Sequence, residues 1–446
     1  MHDQESPENL PDEPAPQPAD EHPYALFGSR DFRLYLAGRL VSVLGQQMLT
    51  VAVGWELYER TGSPLALGIV GLVEMIAMVC CTLPAGHLAD NLNRKRIILT
   101  SLLVSSSASL GLALISWRHA PVAWIYACLF VAAVARTFLW PASSAFLTSL
   151  VARKLFPRAV TWNSGAFQLS SVAGPALGGA LIALLKKYSD HPAAFIYLMN
   201  FFAVTACFLC VKSVRARHIV ANPEPMSLQS FATGFRFIFA QRLILGMITL
   251  DMFAVFLGGA TALLPVYAKD ILKAGADGLG LLQAALPLGS VACALFLAHR
   301  APMQKAGRAL LWCVAVFGLA TVAFGLSQWF WFSFAMLFVC GAVDNVSVVV
   351  RHTSVQLLTP DDKRGRVSSV NSLFIGTSNE LGGFESGFVA HLFGPMWHHA
   401  TAGPALIQAV ATGTIISVVS GGIGTILVVL AVAWLWPEIR RYGKLA

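Results

Sequence analysis

Apolar stretches of about twenty residues or more recur along this chain, the length that matches the ~30 Å hydrocarbon layer of a bilayer. They fall at about 33–58, 65–88, 97–117, 121–150, 159–185 and 193–211. A second set follows at about 243–271, 279–298, 309–327, 329–358, 371–395 and 405–436. In lipid every backbone polar group has to be satisfied within the chain, so only helices and closed barrels can span. The short alternating pattern of barrel strands does not occur in these stretches. The expected fold is an all-α membrane protein of twelve transmembrane helices, six on each side of a polar segment. The chain carries 12% charged residues at a mean hydropathy of +0.66. Soluble domains carry about 25%, so a soluble enzyme is excluded.

Loop charges set the expected orientation. Even-numbered loops and the C-terminal tail hold twenty Lys and Arg, including Arg94, Lys95 and Arg96, whereas odd-numbered loops hold six. The positive-inside rule places both termini in the cytoplasm. The formal charge of +8 follows from the same asymmetry and is no sign of nucleic-acid binding. Residues 1–30 form a Pro-rich acidic segment, read as a disordered cytoplasmic tail. It lacks the basic start and apolar core of a signal peptide. The first six-helix half is expected over 31–212. A cytoplasmic linker follows over 213–241, with an amphipathic helix from about Ser227 to Ala240. The second half is expected over 242–446.

All eight cysteines lie within apolar spans. Cys207 and Cys210 share a helix face, yet no matching Cys or His pair lies near them in sequence. They read as small hydrophobes. No metal, cofactor or catalytic group is expected, and no phosphate-binding G-x-x-x-x-G-K-[ST] loop is present.

A shift of 208 residues lays the second half on the first. Leu150, Arg158, Asn163, Ser164, Ser170, Gly174 and Gly179 fall on Leu358, Arg366, Asn371, Ser372, Ser378, Gly382 and Gly387. Transporters are commonly built from such repeats, with the substrate site between them near the bilayer midplane. Within span five, Gly174, Pro175, Gly178 and Gly179 form a G-P-x-x-G-G run. Proline kinks a helix, and glycines let a neighbouring helix approach closely. In the loop after span two, Gly86-His87-Leu88-Ala89-Asp90 precedes Arg94-Lys95-Arg96. Short motifs also stand out: Phe32-Arg33-x-Tyr35-Leu36, Gly234-Phe235-Arg236-Phe237, and Arg364-Gly365-Arg366-Val367-x-x-Val370-Asn371.

These features resemble the major facilitator superfamily, in the branch holding enterobactin-exporter-like and macrolide-efflux-like members. The resemblance covers about Phe32 to Arg441. It implies two pseudo-symmetric six-helix halves in the inner membrane of a bacterium. It further implies a monomeric, proton-driven exporter of amphipathic small molecules such as siderophores or drugs. The G-P-x-x-G-G run is similar to the superfamily's antiporter motif. Gly86, Asp90, Arg94, Lys95 and Arg96 resemble its cytoplasmic gating signature, with Asn91 replacing a basic residue and Asn93 a glycine. In that role Asp90 would pair across the two halves, and the basic triplet would also meet anionic lipid.

Ionisable residues at membrane depth are costly and mark pathways or pairs. They are Arg39, Glu74, Arg136, Asp251, Asp344, Arg351, Glu380 and Glu385; Glu56 lies near an outer helix end. Arg136 resembles the arginine that proton-coupled drug antiporters carry in span four. Under the repeat it falls on Asp344, so either an Arg136–Asp344 interaction across a cavity or local pairing of each is expected. A coupling carboxylate belongs in a cavity, where desolvation brings its titration towards physiological pH. Glu74, Asp251, Asp344, Glu380 and Glu385 are the candidates, with Asp344 and Glu380 preferred. Gln46, Gln47, Asn345, Arg351, Ser378 and Asn379 are expected to line the substrate cavity, while most Phe and Trp are expected to pack. Proton-coupled uptake remains an open alternative, as does a non-transporting sensor or scaffold.

Overall fold

Residues 25–215, 235–300, 303–399 and 402–443 are described by the structure, a computed structural model. The side chains of Asp90, Asp361 and Asp362 lie outside that description. The first six long helices are α1 (Arg30–Thr61), α2 (Pro64–Asn91), α3 (Arg94–Trp117), α4 (Val122–Leu150), α5 (Phe156–Leu185) and α6 (Pro192–Ser213). The second six are α7 (Arg242–Ile271), α8 (Gly275–Ala298), α9 (Ala306–Gly325), α10 (Phe330–Leu358), α11 (Asp361–His391) and α12 (Gly403–Leu435).

Local chemistry explains several boundaries. Ser29 Oγ accepts from the Phe32 amide at 3.4 Å to start α1, which ends at Gly62 with φ 60°. Asn93 Oδ1 accepts from the Arg96 amide at 3.3 Å and caps α3. The asparagine that departs from the gating signature is thus a helix-capping residue. Proline opens α2, α6 and α12 within their first turns, where its missing N–H costs nothing. α7 is continuous only to Leu257; a 3-10 turn over Ala260–Leu263 and a π turn over Tyr267–Ile271 complete it.

Eleven of these helices are long and apolar enough to cross a membrane. The exception is α11, which has the length at 31 residues but carries Arg364, Arg366, Asn371, Asn379, Glu380 and Glu385. It packs on α2, α7 and α12, with Asn371 buried, Asn379 and Glu380 bordering a cavity, and Arg364 and Arg366 exposed at its start.

The two halves repeat one contact pattern. In the first, α1 packs on α5 and α6, α3 on α4 and α6, and α2 on α4. In the second, α7 packs on α11 and α12, α9 on α10 and α12, and α8 on α10. The halves meet through α2 with α11 and α5 with α8, two contacts related by the same repeat. One apolar core joins both halves at the end bearing the α1–α2 and α7–α8 connections, where Leu57, Tyr58, Ile182, Tyr267, Leu279 and Phe324 are buried together. At the opposite end, where the basic loops lie, each half keeps its own core: Phe32, Ile98 and Phe146 in one, Met247, Leu310 and Val350 in the other. The bundle is therefore sealed at one end and parted at the other. Of the expected linker helix, residues 235–240 are described and helical; the rest of it, and residues 1–24 of the expected acidic tail, fall outside the described residues.

Candidate functional site

Between the halves lies a cavity of about 680 Å³, lined by α1, α2, α4, α5, α7, α8, α10 and α11. Its volume falls in the range usual for small-molecule sites. Gln46, Gln47, Glu74, Arg136, Asp344, Asn345, Asn379 and Glu380 reach it as expected. Thr50, Gln168, Ser171, Gln283 and Ser290 join them. A simple signal would have found these five: they are polar residues in the middle of apolar spans.

The charges inside are distributed unevenly. Arg136 Nη2 of α4 lies 2.8 Å from Glu74 Oε2 of α2, an ion pair within the first half. Protein surrounds Arg136, yet its side chain is 42% accessible because it borders the cavity. Glu380 of α11 lies within electrostatic reach of both Glu74 and Arg136. Arg136 is thus ion-paired with Glu74 alone, and Glu380, from the opposite half, makes no ion pair among the described residues. Asp344 of α10 has no cation partner among the described residues, and Asn345 Nδ2 is buried without a hydrogen bond. Of the two arrangements expected for these residues, Arg136 takes local pairing with Glu74, while Asp344 pairs with no cation among the described residues. α2 sits beside α4 in the helix order and brings Glu74 to Arg136 first.

Four further expectations are corrected. Asp251 and Arg351 form an ion pair between α7 and α10, with side chains only 7% and 2% exposed, and neither lines the cavity. The seven-residue spacing of Asp344 and Arg351 places them along one helix, but α10 turns Arg351 towards α7. Ser378 is buried with its Oγ donating to the Ile375 carbonyl at 2.9 Å, away from the cavity. Arg39 lies 6.0 Å from the Trp140 ring, with its Nε buried and unbonded, also outside the cavity lining. Among aromatic residues, Phe167 borders the cavity, whereas Trp117, Trp124, Trp312, Trp329 and Trp434 are exposed on the outer surface, as interfacial anchors are.

The glycines of span five divide their work. A methyl group at Gly174 would meet Gln47, and one at Gly178 would meet Met48, both on α1 of the same half. A methyl group at Gly179 would meet Ala276 and Gly280 of α8, across the seam. On the related seam, Gly68 of α2 faces Gly387 of α11, where a methyl group at Gly68 would meet Gly387 Cα at 3.1 Å. The same sealed end carries a polar link between halves, since Tyr58 Oη donates to Asp270 Oδ2. Lys269 Nζ stands 5.3 Å from the Tyr58 ring centre. Nothing in the sequence signals that link.

In the gating loop, Lys95 Nζ donates to the carbonyls of Lys212 at 2.8 Å and Val214 at 2.6 Å, at the end of α6. Arg94 donates to the Ala145 carbonyl of α4 at 3.2 Å. Arg96 is exposed. Lys95 thus binds carbonyls left orphan at a helix end, while Arg94 ties the loop to the body of α4. Gly86 lies within α2, and the Asp90 side chain falls outside the described residues.

The family model of the Major Facilitator Superfamily matches residues 35–383. The chain belongs to this superfamily. Among curated relatives it is 26% identical over 420 residues to the enterobactin exporter EntS of Citrobacter koseri, covering 93% of each chain. It is 26% identical over 381 residues to the enterobactin exporter EntS of Shigella boydii, covering 84% of this chain and 89% of that one. Among solved structures, a bacterial homologue of the human lysosomal transporter Spinster, inward-facing and unoccupied, superposes with a TM-score of 0.69 at 16% identity, covering 96% and 98% of the two chains. The POT family transporter PepTSo gives 0.68 at 13% identity over 93% and 99%. The superfamily member described here is a multi-pass membrane protein and a secondary transporter, not an enzyme.

Proposed function

We propose that the chain is a proton-coupled exporter of small amphipathic molecules in the inner membrane of a bacterium, working as a monomer by alternating access. The carrying observation is the cavity between the halves, which holds the Arg136–Glu74 ion pair together with an Asp344 and a Glu380 that make no ion pair among the described residues. The cavity is parted at the end with the basic loops, which the positive-inside rule assigns to the cytoplasm. The first and last described residues, Ala25 and Gly443, lie at that end. The arrangement is a loading state, with the exit side sealed by the glycine seams and Tyr58. The names of the curated relatives and the Gly174-Pro175 run favour export over uptake.

Charge balance supplies the exchange. With Glu74 matched by Arg136, a proton on Glu380 leaves the cluster neutral, and its loss leaves one uncompensated charge. Asp344 adds a second such site. A carboxylate held in a partly desolvated cavity favours a proton or a cationic cargo group. Protons taken from the outer side and released inside would then alternate with cargo moving outward. One chain builds the whole cavity, which supports the monomer.

The test reconstitutes purified protein in liposomes, imposes an inward proton gradient and follows lumenal pH. The added compounds are ethidium, a catechol-capped serine and a carboxamide-capped lysyl dipeptide. Cargo-dependent proton movement that Asp344→Asn or Glu380→Gln abolishes is the expected result. Cargo movement indifferent to the gradient overturns proton coupling, and gradient-driven accumulation against the export direction establishes uptake.

A further inference from the structure

The cavity wall is unusual in the kind of polar group it offers. Six primary carboxamides line it: Gln46, Gln47 and Gln168 from the first half, and Gln283, Asn345 and Asn379 from the second. Asn379 donates to the Ile375 carbonyl of its own helix at 2.9 Å. The four glutamine side chains make no hydrogen bond within the protein among the described residues. A carboxamide offers two donors and an acceptor with two lone pairs. Left free at a cavity wall, such groups hydrogen-bond to whatever fills it, water or cargo. Stacking surface, by contrast, is nearly absent, since Phe167 is the aromatic residue in the lining.

Charge is also polarised. In the first half Glu74 and Arg136 cancel, while the second half presents Asp344 and Glu380. Asp344 and Asn345 are adjacent, both border the cavity, and Asn345 Nδ2 is a buried donor with no acceptor. An unmatched carboxylate beside an unmatched amide donor fits a ligand with a protonated amine and a carbonyl or hydroxyl oxygen close by.

We infer that the cargo is a hydroxyl- or amide-rich molecule bearing a protonated amine, whose amine is held at Asp344 and whose neighbouring oxygen is held at Asn345. The glutamines of both halves hydrogen-bond the remainder, and the apolar lining from residues such as Leu129 and Leu286 accepts its hydrocarbon portion. Flat aromatic cations find too little stacking surface, and polyanions meet two uncompensated carboxylates. This class rests on the transporter reading, because it assumes that the cavity is where cargo binds.

Binding to purified protein in nanodiscs without any proton gradient separates the two claims. Three probes are titrated by calorimetry: the carboxamide-capped lysyl dipeptide, ethidium, and the catechol-capped serine, an anion. The lysyl probe is expected to bind tightest, and Asp344→Asn to weaken it about tenfold, the usual effect of losing a charge-assisted hydrogen bond. Gln168→Leu with Gln283→Leu is expected to weaken the lysyl probe and to leave ethidium unchanged. Proper folding of each variant is checked by its melting temperature. Ethidium or the anion binding tighter than the lysyl probe, or equal binding by wild type and Asp344→Asn, overturns the cargo class while leaving an exporter intact. The expected ranking without proton-driven flux in liposomes overturns proton coupling and leaves the class standing.

Discussion

Gly179→Ala tests whether the α5–α8 seam belongs to one conformational state. A Cβ at this position would sit 2.8 Å from Gly280 Cα and from its backbone nitrogen, and closer still to the Ala276 carbonyl. Ordinary contact begins at 3.4 Å, so the helices have to part by about 1 Å to clear the Ala276 carbonyl oxygen. Both opposing groups are backbone and cannot rotate away. Overpacking of this kind costs about 1–3 kcal/mol. Because α5 and α8 belong to different halves, that cost falls on the sealed-end state alone. The equilibrium should shift roughly 5- to 150-fold towards the state open at that end. Gly178→Ala is the matched control, since its methyl would meet Met48 Cα at 3.0 Å within one half. Its cost falls on both states, so the melting temperature drops and the equilibrium stays put. Hydrogen–deuterium exchange reads the difference. Gly179→Ala should raise exchange around 186–191 and 272–276 and lower it around 151–158; Gly178→Ala should do neither. Identical exchange patterns for the two variants would refute the argument that the antiporter-like run divides its glycines between a fixed and a moving contact.

Two further outcomes follow from pairs described above. Asp251→Asn alone leaves Arg351 buried without its partner, at a cost of about 3–5 kcal/mol, so folded yield on size-exclusion chromatography should fall sharply. Asp251→Leu combined with Arg351→Met should restore yield and transport together; a folded but inactive double variant would place the pair in the transport cycle. Tyr58→Phe removes the cross-half hydrogen bond to Asp270, worth about 0.5–1.5 kcal/mol, and should raise exchange around 272–276 in the same direction as Gly179→Ala. Unchanged exchange there would mean that the link does not hold the end shut.

Much of the architecture was legible along the chain. Hydrophobic length marked eleven of the twelve helices; α11 was expected over 371–395, and its polar residues were visible but not the reason for their being there. The repeat placed Gly179 and Gly387 on equivalent seams, and both face glycine across the halves, Gly280 and Gly68. Cavity residues were legible where a polar side chain stood at mid-helix, as with Gln46, Gln47, Asn345 and Asn379. That rule failed for Ser378, because a serine hydroxyl is short enough to return to its own helix backbone. It failed again for Asp251 and Arg351, which satisfy each other. In the gating loop, Lys95 holds helix-end carbonyls and Arg94 an α4 carbonyl, uses that loop charge alone does not reveal.

By itself the sequence determined the number and length of the helices, the two halves and the basic end. Those properties follow from hydrophobicity and charge, which each residue carries regardless of its neighbours in space. Only the tertiary structure decided which charges meet and which end is closed. Partner choice depends on how each helix is rotated and which helix stands beside it, and packing sets both. Arg136 could answer Glu74, Glu380 or Asp344 on sequence grounds. With α4 packed against α2, it answers Glu74, and Asp344 is left without a cation partner among the described residues.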